Sequence, residues 1–253
     1  MRSARFVIVD GHELYLECSG GPGPTVVFEE ALGGDRTLWP IAERIRDHAY
    51  ACVYDRPGDG ESAAPDRPQT AGADVADFHQ LLEEANIPRP VVMVGHSYGG
   101  LIAWMAAVEH PDDVAGVVLI DASHPDQFER WNTVMNDEQM KALLALNADF
   151  PHVDFPASLE EAAAEYGSLP DIPLTVITAT RSLVGKGCIE GLPCEAMQAI
   201  WLELQDGYAG LRPDARHIEV PTGHYVHDED PDLVVDEILS LLAKIDPESA
   251  PDR

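Results

Sequence analysis

The sequence predicts an α/β fold: a mostly parallel sheet covered by helices on both faces, with a short helical lid set into it. Three observations predict it. Apolar runs of strand length ("TVVFEEA", "VVMVG", "VAGVVLI", "PLTVITA") recur without the in–out alternation of a half-exposed sheet. Segments with helical spacing separate them, so crossovers join the strands and the strands run parallel. The rhythm breaks once, between residues 125 and 171, where the pattern turns helical and irregular.

Taken in order, "ARFVIVDGHELYLECSG" reads as two strands joined by the Asp10-Gly11 turn, an antiparallel hairpin at the start. "TVVFEEA" is a buried-type strand, followed by the loop "LGGDRT" and a helix through "WPIAERIRDHA". "YACVYD" is the next strand and ends in the glycine-rich turn "RPGDGES". Val75, Phe78, Leu81 and Leu82 then recur at helical spacing. "VVMVG", the helix "GGLIAWMAAVEH" with proline just beyond it, and "VAGVVLI" follow. Phe128, Trp131, Met135, Met140, Leu143 and Leu144 mark the irregular stretch. "PLTVITA" returns to strand, "EAMQAIWLELQDGYAG" to helix, "ARHIEV" to strand and "PDLVVDEILSLLAKI" to a closing helix. The expected organisation is a core of residues 1–124 and 172–246, a lid over 125–171, and a frayed tail at 247–253.

Composition sets further bounds. The 253 residues, 45% hydrophobic and 24% charged, are ordinary for a soluble globular chain. No run approaches the roughly 18 apolar residues of a membrane span, and the start shows no signal-peptide pattern, so a cytoplasmic location is expected. The formal net charge is −29, with 45 acidic residues and only Lys141, Lys186 and Lys244 as lysines. Such a field repels nucleic acid and anionic membranes, and neither is an expected partner. Adaptation to a salty interior and simple acidic solubility both account for it. Cys18 and Cys52 fall in strand-like stretches and read as small buried apolar residues. Cys188 and Cys194 flank a short loop where a disulfide can form, but in a reducing cytosol they read as free thiols.

The chemistry starts at "VVMVGHSYGG", residues 91–100. Strand, G-x-S-x-G, then helix is the context that gives this motif meaning. Gly95 and Gly99 let two backbone segments approach at a sharp turn, which projects Ser97 from the C-terminal edge of the sheet, where ligands of open α/β sheets bind. The following helix aims its N-terminus at the same point, which favours developing negative charge. The bland alternative is a serine that caps that helix.

A serine hydroxyl is a poor nucleophile unless a base takes its proton. "VPTGHYVHDEDP", after the last strand, supplies His224 directly behind a loop glycine. His227 is the rival and reads as flanking or capping the closing helix. The histidine needs a carboxylate to fix its tautomer. "TRSLVGKG", after "PLTVITA", holds none, whereas Asp121 closes the apolar run "VAGVVLI" one strand from the serine. An Asp there is costly to bury without a partner. Asp126 and Glu190 are the alternatives, and a turn-capping role for Asp121 is the bland one. Two backbone donors would complete an oxyanion site: the amide of Tyr98, just after the nucleophile, and that of Leu32, in the loop after "TVVFEEA".

Together "VGHSYGG", "YDRPGDGES" and "TGHYVHDEDP" resemble the α/β-hydrolase superfamily, serine-nucleophile branch, over nearly the whole chain. The sequence departs from that family twice. Glu30-Ala31 stand where His-Gly is usual in the oxyanion loop, and the acid sits one strand early, a placement also seen in some haloalkane dehalogenases. The resemblance implies a hydrolase without metal or cofactor, acting on small apolar or weakly polar carboxylic esters through an acyl-serine. A lactonase or aminopeptidase on the same triad, or a ligand-binding protein that has kept the fold and lost catalysis, are the alternatives. The oligomeric state is left open.

Overall fold

The computed structural model describes residues 2–34 and 36–246, so the tail expected at 247–253 lies outside the described residues. The strands are β1 (Ser3–Val9), β2 (His12–Gly20), β3 (Thr25–Glu29), β4 (Tyr50–Tyr54), β5 (Val91–His96), β6 (Val114–Ile120), β7 (Leu174–Ala179) and β8 (Arg216–Val220). They form one sheet in the order β1-β2-β4-β3-β5-β6-β7-β8. β2 runs antiparallel to β1 and β4, and every other pairing is parallel. β3, β5 and β7 are buried along their whole length. That burial explains why they read as continuous apolar runs.

The helices are α1 (Trp39–Ile45), α2 (Ala71–Glu84), α3 (Tyr98–Glu109), α4 (Gln127–Asn132), α5 (Asp137–Ala145), α6 (Phe155–Glu165), α7 (Cys194–Ala209), α8 (Val226–Glu229) and α9 (Pro231–Ile245). Successive residues of β5 point to opposite faces. Val91 and Met93 join Phe78 of α2 and Leu101 and Trp104 of α3, while Val92 and Val94 join Ile41 of α1 and Ile238 of α9. Burying a side chain of this size contributes roughly 1.5–3 kcal/mol, so both layers are held from the sheet outward.

The stretch 125–171 carries α4, α5 and α6. Phe155 and Leu159 of α6 belong to the core on the α2–α3 side. Trp131 of α4 joins Met197, Ile200 and Trp201 of α7 in a smaller cluster. α5 is closed by a capping box between Asn136 and Gln139 and buries no residue. Among the described residues no helix is long and apolar enough to cross a membrane.

The cysteines differ from expectation. Cys18 and Cys52 are buried but not separate: β2 and β4 place them opposite each other and they form a disulfide. Cys188 and Cys194 form a second disulfide across their loop rather than standing as free thiols. Pairing of β2 with β4 skips the strand between them in sequence, and residue type alone does not reveal it.

Candidate active site

The turn from β5 into α3 is shaped by close backbone contact. A Cβ added at Gly95 would lie 2.3 Å from the carbonyl oxygen of Gly99, and one at Gly99 would lie 2.1 Å from that of Glu29. No other residue type fits either position. Ser97, between them, has φ 53° and ψ −120°, a conformation that costs a non-glycine residue on the order of 1–3 kcal/mol. Its neighbours hold it there: Ser97 N–H donates to Ile120 O at 3.1 Å, and Ser123 N–H donates to Ser97 O at 2.8 Å. Although Ser97 stands at the N-cap of α3, its side chain makes no capping bond. The hydroxyl is therefore not spent on the helix.

Asp121 follows β6 directly, also at positive φ (44°), and is fully buried. Its carboxylate is saturated with donors. Oδ1 accepts from Ala179 N–H at 3.0 Å and from Trp201 Nε1–H at 2.8 Å. Oδ2 accepts from the Ser182 hydroxyl and from His224 Nδ1 at 2.6 Å. Facing a carboxylate, Nδ1 carries the proton, which leaves Nε2 of the neutral ring as the basic nitrogen. This is the orientation a general base needs.

The loop bearing His224 is fixed from both sides. Gly223 N–H donates to Glu229 Oε1 at 2.9 Å, and His96 Nε2 donates to His224 O at 2.9 Å. Burial, with His224 and His227 close by, holds the pKa of His96 well below its ordinary value. His96 is thus a neutral donor that supports the loop. Sequence reasoning missed it, although it sits beside Ser97 in the motif. His227 lies in α8 with its ring edge-on to His96, 4.6 Å between centroids. Asp230, not His227, caps α9, accepting from Leu233 N–H at 3.2 Å.

Ser97, His224 and Leu32 line one cavity of about 360 Å³, a size suited to a small molecule. Trp131, Phe155, Leu183 and Trp201 supply its apolar wall, and Ser123, Gln127 and Ser182 its polar groups. Trp131 and Trp201 stack at 5.8 Å. Among the described residues no lysine, arginine or carboxylate lines the space. Ser97 Oγ has no hydrogen-bond partner among the described residues, and neither the Leu32 nor the Tyr98 amide donates to one.

The alternative acids lie elsewhere. Asp126 begins α4 near His124, and Glu190 lines a separate surface depression with Asn136 and Gln139. Among the described residues two groups bring three ligand-type atoms within 4.8 Å of one another, His79–His110–Asp113 and Asp206–His217–Glu219. None of these six side chains lines the cavity.

Residues 21–237 match the model of the alpha/beta hydrolase family. The uncharacterized protein YqjL of Bacillus subtilis (strain 168) is 26% identical over 217 residues, covering 85% of this chain and 82% of that one. The pimeloyl-(acyl-carrier protein) methyl ester esterase of Vibrio vulnificus (strain YJ016) is 32% identical over 133 residues, 51% of this chain and 49% of that one. The match thus spans about half of each chain. Among solved structures, the enol-lactonase from Burkholderia xenovorans LB400 superposes with a TM-score of 0.67 at 22% identity, covering 94% of this chain and 100% of that one. That is a likeness of fold.

Proposed function

The chain belongs to the α/β-hydrolase family, and on that premise we propose that it is a serine hydrolase cleaving small apolar or weakly polar carboxylic esters through an acyl-serine. The observation that carries this reading is the buried Asp121 carboxylate bound to Nδ1 of His224, on a cavity shared with the unspent Ser97 hydroxyl. In this reading Ser97 Oγ attacks the ester carbonyl and His224 Nε2 takes its proton. The oxygen that gains the negative charge is met by the Leu32 and Tyr98 amides, at the N-terminus of α3. Collapse breaks the bond to the alkoxy oxygen, which leaves as the alcohol with the proton from His224. Water then attacks the acyl-serine with His224 again as base, releasing the acid and restoring Ser97. Asp121 keeps the imidazole in one tautomer and balances the imidazolium charge. No step draws on a metal or cofactor.

The substrate class follows from the wall. An apolar cavity with two stacked tryptophans and, among the described residues, no lysine, arginine or carboxylate in its lining favours an uncharged acyl or alkoxy group, and the −29 net charge disfavours anions. In the same reading the 125–171 segment is the lid, supplying Trp131 and Phe155 to that wall. Hydrolysis of p-nitrophenyl esters graded from acetyl to decanoyl, with Ser97→Ala as control, tests the proposal. Turnover that favours short to medium chains and vanishes in the variant is expected. Turnover unchanged in Ser97→Ala would overturn it.

A further inference from the structure

Arg56 lies outside the cavity, in the turn after β4, and is buried to 3% exposure. Its guanidinium makes four hydrogen bonds. Nη1 donates to Glu29 Oε1 at 2.7 Å and to Glu30 O at 2.7 Å. Nη2 donates to Ala31 O at 2.6 Å and to Asp59 Oδ2 at 2.9 Å. The two carboxylates pair with the charge, but pairing a buried charge does not explain why it is buried. Apolar side chains of the same volume usually stabilise an interior as well as a buried ion pair does. What a guanidinium adds is a planar fork able to grip two carbonyls at fixed angles.

Those carbonyls belong to consecutive peptides of the loop after β3. A trans peptide is planar, with its C=O and N–H pointing in opposite directions. Holding the Ala31 carbonyl toward Arg56 therefore turns the Leu32 N–H away from it. Leu32 lines the cavity beside Ser97. The loop is anchored further along by Glu30, whose carboxylate accepts from Leu38 N–H and the Thr37 hydroxyl, both at 2.8 Å. The guanidinium also meets the side chain of Tyr98, with Arg56 Cζ 5.3 Å from its ring centroid. Asp59 also accepts from His152 Nε2 at 2.8 Å, which links the cluster to the segment ahead of α6.

We propose that Arg56 is a positioning residue that sets the direction of the Leu32 N–H, and so the strength of the oxyanion site. This rests on the reading of Ser97 as nucleophile and of the Leu32 amide as oxyanion donor. Arg56 touches no substrate; it acts through the peptide it grips. Lysine keeps the charge but lacks the fork, so it cannot hold both carbonyls and both carboxylates in this geometry.

The test compares wild type, Arg56→Lys and Asp59→Asn with p-nitrophenyl butyrate as substrate. It also measures inhibition by butylboronic acid, which forms a tetrahedral adduct on a nucleophilic serine, and by butanol, which does not. Arg56→Lys is expected to lower kcat by roughly 30- to 300-fold, with KM and butanol inhibition within about threefold, since one oxyanion donor is worth ~10²–10³ in kcat. Boronate affinity should fall in parallel with kcat. Asp59→Asn, which removes one anchor of the fork, should move the same quantities by roughly three- to tenfold. It decides the matter alone if Arg56→Lys does not fold. Unchanged kcat, or losses of kcat and butanol binding that match, would overturn the role of Arg56. If wild type hydrolyses nothing at Ser97, it is the parent reading that fails, and the two failures are told apart by the Ser97→Ala control.

Discussion

Trp201 and Asp121 are joined by a 2.8 Å hydrogen bond from indole Nε1 to carboxylate Oδ1, so one side chain is both cavity wall and support for the acid that holds His224. Trp201→Phe keeps an aromatic wall and removes that donor. A hydrogen bond to a charged group is worth about 1.5–3 kcal/mol, so kcat should fall by roughly tenfold or more while KM changes little. Trp201→Ala, which also opens the wall, should raise KM as well. Steady-state kinetics on both variants check this, and an undiminished kcat in Trp201→Phe would remove the bond from the account.

Asp121→Asn keeps the shape of the acid and turns a charged acceptor into an amide that favours the wrong imidazole tautomer. By analogy with other triads kcat should fall by about 10⁴ near neutral pH. Asp126→Asn and Glu190→Gln, which alter groups away from His224, should each stay within about twofold of wild type. If Glu190→Gln were the silent variant, the assignment of the acid would move to the loop after β7.

His124 gives the protein an acid-sensitive core. It is 1% exposed, accepts from Asp126 N–H at Nδ1, and packs against the rings of Tyr166 and Tyr208. Burial, and secondarily Arg130, lowers its pKa to about 3 from an ordinary 6.5. Above pH 6.5 both folded and unfolded chains hold it neutral. As pH falls, the unfolded chain takes up a proton that the folded one refuses, so stability is lost progressively toward pH 3. The loss is on the order of a few kcal/mol. Melting temperatures of wild type and His124→Asn between pH 7 and 4 test it. The variant's curve should be flatter, and parallel curves would contradict the account.

The disulfides should contribute unequally. In the chain-entropy model a bridge spanning 34 residues contributes roughly 4 kcal/mol and one spanning 6 contributes roughly 2 kcal/mol. The Cys18→Ala/Cys52→Ala pair should therefore lower Tm more than the Cys188→Ser/Cys194→Ser pair, and dithiothreitol should lower it at least as far as the first. Four titratable thiols in the native, unreduced protein would contradict both bridges.

How much of this could be read beforehand depended on distance along the chain. The strands, the helices around them and the Ser97 corner are local patterns: an apolar run, two glycines at fixed spacing, then helical periodicity. Asp121 and His224 meet across 103 residues. Their proximity could be inferred only because parallel crossovers deliver strand ends to one edge of the sheet. Contacts that depend on strand order or on the face of a distant helix were not legible. Cys18 faces Cys52 because β2 pairs with β4, and Trp201 reaches Asp121 because of how α7 sits against β7. Arg56 was visible only as part of the "DRPGDG" turn, and nothing in its neighbours along the chain reveals that it grips the loop after β3.

The central claim is that Ser97 is a nucleophile activated by His224, and intact-protein mass spectrometry after exposure to a fluorophosphonate tests it most directly. The account predicts one adduct per chain, mapping to the peptide that contains Ser97. The adduct should be absent in Ser97→Ala and formed far more slowly in His224→Ala, with His227→Ala close to wild type. No adduct, an adduct on another residue, or equal labelling of wild type and Ser97→Ala would contradict it.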